Sequence, residues 1–148
     1  MSIEWGGLPF TSNMTAQVVD LGQPPTDVLV ASQPCRIDVS WDVPAPIAAL
    51  INAGHQFRLR AYAESVGPGQ ERQIGGTDFV PGVPGQTSYS HSMNVAGGTL
   101  LGEGQADASG QPVSGLYKVA CVLQLMNGTA TRISGFGEYT RHVMFRAP

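Results

Sequence analysis

The sequence predicts an all-β protein, a single antiparallel β-sandwich of about seven to nine strands with an irregular N-terminal arm. Three observations predict it. Short segments alternate between apolar and polar residues, as strands with one buried face do. Gly, Pro and Asn interrupt the chain every ~8 to 14 residues. No segment carries the 3.6-residue apolar repeat of an amphipathic helix.

The strand that we expect at the centre of the fold covers residues 115–126. Its intervening residues are mixed in polarity, so one face should be buried and the other half covered. It is too apolar to lie at an edge of the sheet. Every second residue is apolar or aromatic: Tyr117, Val119, Cys121, Leu123 and Leu125.

Two earlier segments, residues 35–42 and 56–64, alternate as cleanly and predict strands with one buried face. The second also has an outward face that carries Arg58, Arg60 and Tyr62. Their predicted core residues are Cys35, Ile37, Val39, Trp41, Phe57 and Leu59.

The remaining strands are expected from weaker patterns, and a helical turn is expected within the crossing loop 43–54. Residues 96–114, rich in Gly, Ser and Gln, form the longest predicted loop, a kind of segment that is usually functional or mobile. A tight turn is predicted at Asn127-Gly128, and residues 135–137 are predicted to break the last strand. The weaker strands are 15–21, 27–32, 71–80 with a bulge at Gly75-Gly76, 87–95, 129–134 and 139–146.

Residues 1–13 are predicted to form the arm, and residues 14–148 the β-sandwich domain. The arm carries Trp5, Leu8 and Phe10 on a segment that Gly and Pro interrupt. These side chains either fold back over their own core or reach a neighbouring subunit. In the second case they would form an interface, together with the outward Tyr62.

The segment Gly115-Leu116-Tyr117-Lys118-Val119 resembles the start of the penultimate strand in immunoglobulin-like and fibronectin type III-like domains. Cys35 and Trp41 on an early strand and Cys121 on a late one also resemble the immunoglobulin core. The spacing differs, because three residues separate Tyr117 from Cys121 and because Trp41 shares a strand with Cys35. The resemblance implies a two-sheet sandwich in which the tyrosine hydrogen-bonds back to the preceding loop.

Composition restricts the partners that the chain could bind. The net charge of −3 and the single lysine, Lys118, argue against nucleic acid. No apolar run approaches the ~20 residues of a membrane helix, which argues against membrane insertion. The N-terminus lacks the pattern of a secretory signal, so we expect a cytoplasmic protein, with export by a non-classical route left open.

The charged fraction of 13% is about half of the ~25% that is usual. Low charge fits a surface that packs against another molecule, and it also fits a monomer with an uncharged polar coat. Cys35 and Cys121 are expected to be reduced in the cell, and the alternative is a disulfide between them. No spacing typical of a catalytic, metal or cofactor site is present, so we expect none of these sites.

The sequence therefore favours a non-enzymatic structural or interaction protein that self-associates or docks on a protein partner. The alternative is a carbohydrate- or surface-binding module, for which Trp5, Tyr62 and Tyr139 are the candidate aromatic platforms. A hydrolase with dispersed site residues is the remote alternative. We expect a homo-oligomer or a complex with another protein.

Overall fold

The computed structural model describes residues 1–21, 26–127 and 135–148. It contains one helical turn, α1, within the crossing loop where the sequence predicts one, and nine strands. The elements in chain order are β1 (Ser2–Glu4), β2 (Thr11–Asp20), β3 (Val28–Val30), β4 (Cys35–Asp42), α1 (Ala45–Ala48), β5 (His55–Ser65), β6 (Glu71–Pro81), β7 (Ser88–Val95), β8 (Leu116–Asn127) and β9 (Gly135–Arg146). The predicted turn at Asn127-Gly128 and the predicted strand 129–134 extend into residues outside the described ranges.

The strands form one sheet in the order β6-β5-β8-β9-β1-β2-β4-β7. All of these pairings are antiparallel, and β3 runs parallel beside the end of β9. The predicted all-β, largely antiparallel fold is confirmed. The sheet curls until it is nearly a barrel, and it does not divide clearly into the two layers of an immunoglobulin-like sandwich.

The short strand β1 explains why the sheet is continuous. Ile3 pairs with Ser12 of β2 on one side and with Gly137 of β9 on the other. The predicted irregular arm is therefore partly strand, and its residues 11–13 begin β2. Three residues are too few for alternation to be recognised above chance in the sequence, which is why an arm was expected there.

The glycines at 135 and 137 lie within β9 and do not break it, contrary to the sequence prediction. A Cβ at Gly135 would lie 2.6 Å from the ring of Trp5, and a Cβ at Gly137 would lie 2.7 Å from the side chain of Ile3. Both positions lack a side chain because the apolar residues at the N-terminus pack directly on this backbone.

β8 pairs with β5 and β9 along nearly its whole length, so it is an interior strand and not an edge strand, as its sequence predicts. The core fills the inside of the curled sheet. It includes an aromatic cluster in which the ring centroids of Trp41 and Phe57 are 5.3 Å apart and those of Phe57 and Tyr89 are 4.7 Å apart. Among the described residues, no helix is long and apolar enough to cross a membrane.

The two end strands, β6 and β7, approach each other along a seam. Asp78 Oδ2 and His91 Nε2 are 2.7 Å apart across it. Further along, Gly75 lies so close to β7 that a Cβ would be 2.9 Å from the carbonyl oxygen of Asn94. Gly75 also has a φ of 68°, at the bulge where the pairing of β6 with β5 shifts. Side-chain and close backbone contacts therefore hold the seam together.

Candidate interaction surface

The outward side chains of β6, β5, β8 and β9 form a surface that we call the aromatic face. Alternation along β5 and β8 points the odd-numbered residues into the core, which leaves the even-numbered residues outside. The registers place these outward residues in rows that cross the four strands. The aromatic face includes Arg58, Arg60, Tyr62, Phe79, Ala120, Val122, Gln124, Phe136 and Glu138.

One row of the aromatic face runs Phe79, Arg58, Gln124, Phe136 across the four strands. The two phenylalanines at its ends are 54% and 51% exposed. Between them, the Arg58 guanidinium donates a hydrogen bond to the Gln124 side-chain oxygen. Arg58 Nε is buried and has no partner among the described residues. Two large apolar rings are thus exposed to water on either side of the hydrogen-bonded pair Arg58 and Gln124.

The neighbouring rows surround a depression of about 430 Å³. It exists because Ala120 is small while the side chains around it are long. The Arg60 guanidinium lies over the ring of Tyr62, 5.9 Å from the centroid, at the distance of a cation–π contact. The polar and charged residues that line the depression are Glu64, Glu71, Arg72, Gln73, Lys118 and Glu138.

Across the described part of the chain, ion pairs within 4 Å occur only away from the aromatic face. They join Arg36 to Asp38 at 3.0 Å, His91 to Asp78 at 2.7 Å and Arg141 to Asp27 at 2.6 Å. The Arg141 guanidinium holds the pKa of the Asp27 carboxyl below its usual value by hydrogen bonding. The charges on the aromatic face remain available to another molecule.

Three of the four predicted interface residues lie elsewhere. Trp5 is 1% exposed and belongs to the core, where its indole Nε1 donates to Ser12 Oγ at 3.0 Å. Phe10 packs partly buried against the same core, and Leu8 is 41% exposed. Tyr62 lies on the aromatic face. Trp5 therefore has no surface left for a neighbouring subunit.

The predicted core residues of β4, β5 and β8 are all buried. One of them, Tyr117, also binds the loop before β8. Its hydroxyl donates to the carbonyl oxygen of Leu101 at 2.8 Å. The immunoglobulin-like resemblance implied such a bond to the preceding loop. Burial raises the pKa of Tyr117.

Cys35 and Cys121 are both free thiols in the structure and both buried. Burial raises the pKa of Cys35 to about 11 and that of Cys121 to about 12. Since the thiolate is the reactive form, both thiols should be inert near neutral pH.

Iodoacetamide at pH 8 is therefore expected to modify native protein at least ~100-fold more slowly than an exposed cysteine, because a pKa of 11 instead of ~8.5 leaves that much less thiolate. Mass spectrometry would follow the modification, with an exposed Ser90→Cys variant as the reference. Unfolding without reductant should then allow both native thiols to react. Rapid modification of native Cys35, or no reaction after unfolding, would contradict this assignment.

Two of the three histidines, His55 and His91, lie in separate environments. His55 is 1% exposed, and its Nδ1 accepts from the backbone N–H of Asn52 at 2.9 Å. His91 is half-buried at the β6–β7 seam. Within the described ranges, no group of three or more His, Cys, Asp or Glu side chains is arranged to hold a metal ion.

The two exposed phenylalanines were not predicted from the sequence. Alternation from the buried Ile74 along β6 would have placed Phe79 on the opposite, outward side. Phe136 stands between two glycines that were interpreted as a break, so no face was assigned to it. Their common row depends on which strands pair, which alternation within a single strand does not indicate.

A scan against protein-family models finds no match to this chain, and a sequence search of curated proteins finds none either. Solved structures do match its fold. One is a β-glucosidase from Listeria innocua, with a TM-score of 0.50, 11% identity and 93% of this chain covered. Another is a β-glucosidase from Erythrobacter marinus, with a TM-score of 0.48, 11% identity and 90% covered. This chain spans only 16% and 15% of those two proteins, and at this identity the likeness concerns the fold alone.

Proposed function

We propose that this protein is a non-enzymatic interaction protein that docks on a protein partner through the aromatic face. The observation that carries the proposal is the row in which Phe79 and Phe136 stand about half exposed on either side of Arg58. Aromatic residues and arginine are the residue types most enriched where proteins bind one another.

The chemistry of the surrounding residues supports a protein partner. Val122 lies half-buried near the middle of the aromatic face, between Arg60 and Glu138, and gives the face an uncharged centre. Charged residues stand around it and can form the polar rim of an interface. The opposite outer surface, on β4 and β7, offers mainly small hydroxyl side chains such as Ser40, Ser90 and Ser92. It therefore presents little apolar area.

Photo-crosslinking tests the proposal. The aromatic crosslinker p-benzoylphenylalanine is placed at Phe136 and, as the control, at Ser90, which is also exposed. We expect irradiation in the native cell to give a covalent protein adduct larger than the 15.6 kDa chain from position 136 alone. The adduct should disappear when Val122→Asp is added. No adduct from position 136, or equal adducts from both positions, would contradict the proposal.

A second candidate function is carbohydrate binding in the depression beside Tyr62. The specific observation is that the partly exposed ring of Tyr62 adjoins carboxylate, amide and ammonium groups that can hydrogen-bond to sugar hydroxyls. Of the other sequence candidates, Trp5 is buried and Tyr139 is packed against the core. Calorimetry with neutral oligosaccharides separates the two functions, since sugar binding should be lost in Tyr62→Ala and retained in Phe136→Ala.

A further inference from the structure

The charges on the aromatic face are arranged in columns. β5 contributes Arg58 and Arg60, whereas β9 contributes Glu138 and β1 contributes Glu4. Between the two columns, β8 presents the uncharged Val122. The positive and negative columns thus lie on opposite sides of a neutral central strand.

The opposite charges in this arrangement lie on different strands and, among the described residues, form no ion pair with each other. Arg60 and Glu138 both pair with Val122, from opposite sides of β8. Two strand spacings, about 10 Å, therefore separate the backbones of these two residues. No ion pair involving either residue occurs among the described residues. Each column can therefore form ion pairs with a column of opposite charge on another molecule.

We propose that the partner is a second copy of this chain, bound face to face about a two-fold axis that runs along β8. This inference rests on the proposed use of the aromatic face for docking. A rotation about that axis exchanges the two sides of the face, so Arg60 of one copy meets Glu138 of the other, and the contact occurs twice. By the same operation Phe136 meets Arg58 of the other copy, where a ring and a guanidinium can stack. Val122 meets Val122 across the axis.

The charges also select this axis over the alternative. A two-fold axis perpendicular to the strands would place β5 on β5, with Arg58 and Arg60 against their own copies, and like charges in contact are unfavourable. The column pattern ends at Glu64 and Lys118, two rows or about 14 Å from Arg60. The same axis places Glu64 against the β9 side of the other copy. Since packed sheets cross at ~30°, Lys118 on β8 moves away from its own copy.

The expected dimer is a weak one. A curled sheet presents a convex surface, so the contact is limited to a few strands and falls at the small end of specific interfaces. We expect a dissociation constant on the order of micromolar. Sedimentation equilibrium over roughly 1 to 200 µM should therefore show a mass that rises from 15.6 kDa towards twice that value.

Charge reversal tests the two-fold arrangement. Arg60→Glu alone and Glu138→Arg alone should each weaken dimerisation by at least ~10-fold, because each places like charges together twice. Two combinations should restore it. The double variant Arg60→Glu with Glu138→Arg should dimerise within ~3-fold of the natural chain, and an equimolar mixture of the two single variants should form a heterodimer. The controls Glu103→Arg and Ser90→Glu, both exposed and away from the face, should leave dimerisation unchanged.

The possible failures can be told apart. A natural chain that stays monomeric at 200 µM overturns the inference, while a Phe136 adduct to a different protein would still support docking through the face. Dimerisation that single reversals leave intact, or that neither combination restores, also overturns the two-fold arrangement. Circular dichroism of each variant would confirm that lost association does not reflect lost folding.

Discussion

Replacing Leu123 with aspartate is expected to abolish folding, whereas aspartate at the neighbouring Val122 is expected to leave the domain folded. Leu123 is 1% exposed and pairs with the buried Leu59 and with Gly137. None of these neighbours can pair with a carboxylate, and an unpaired buried charge costs several kcal/mol, a large part of the 5–15 kcal/mol that stabilises a typical domain. Val122 is half-buried on the outer surface, where water and the neighbouring Arg60 can stabilise a carboxylate.

Thermal unfolding followed by circular dichroism measures this difference. Val122→Asp should unfold cooperatively within a few degrees of the natural chain. Leu123→Asp should give insoluble protein or no cooperative transition. A soluble Leu123→Asp variant with a normal transition would show that β8 does not present its odd-numbered residues to the core.

Trp5→Ala is expected to lower the free energy of unfolding by about 3–5 kcal/mol, as large aromatic truncations in cores do. The change removes the ring that lies against Gly135 and the donor to Ser12, and it leaves a cavity between β1 and β9. Leu8→Ala is the matched control, because Leu8 is 41% exposed and its truncation should cost less than ~1 kcal/mol.

Urea titration provides the measurement. With a slope of ~1–3 kcal/mol per molar urea, the Trp5→Ala midpoint should fall by roughly 1–3 M relative to Leu8→Ala. Equal midpoints for the two variants would mean that residues 1–10 form an arm that is independent of the domain. The sequence left both possibilities open, and the buried position of Trp5 favours the first.

Regular strands were predictable where they are long and buried on one side. The predicted range 35–42 coincides with β4, and 56–64 lies within β5, because alternation depends only on which face meets the core. β1 was not predictable, since it is stabilised by its two neighbours and not by its own three residues. The glycines of β9 were misinterpreted for the same reason. Their role depends on Ile3 and Trp5, which are more than a hundred positions away in the sequence.

The aromatic face was also only partly predictable from the sequence. The outward position of Tyr62 follows from alternation within β5, so it was predicted. The row that joins Phe79 to Phe136 depends on the order of four strands and on the shifted pairing at the β6 bulge. The charge columns require that order too. Long-range pairing therefore produces most of the surface on which the proposed function rests.

The position of β1 has a consequence for how the protein folds during translation. β1 leaves the ribosome before the other described strands, yet one of its two neighbours is β9, which leaves after all of them. At ~5–20 residues per second, Ile3 and Trp5 wait on the order of ten seconds before Gly135 and Gly137 are synthesised. Until then these apolar side chains lack the backbone on which they pack, and a chaperone that binds extended apolar segments has time to hold them. β1 and β9 can pair only after residue 137 has been synthesised. The domain is therefore expected to acquire its structure late and as a unit.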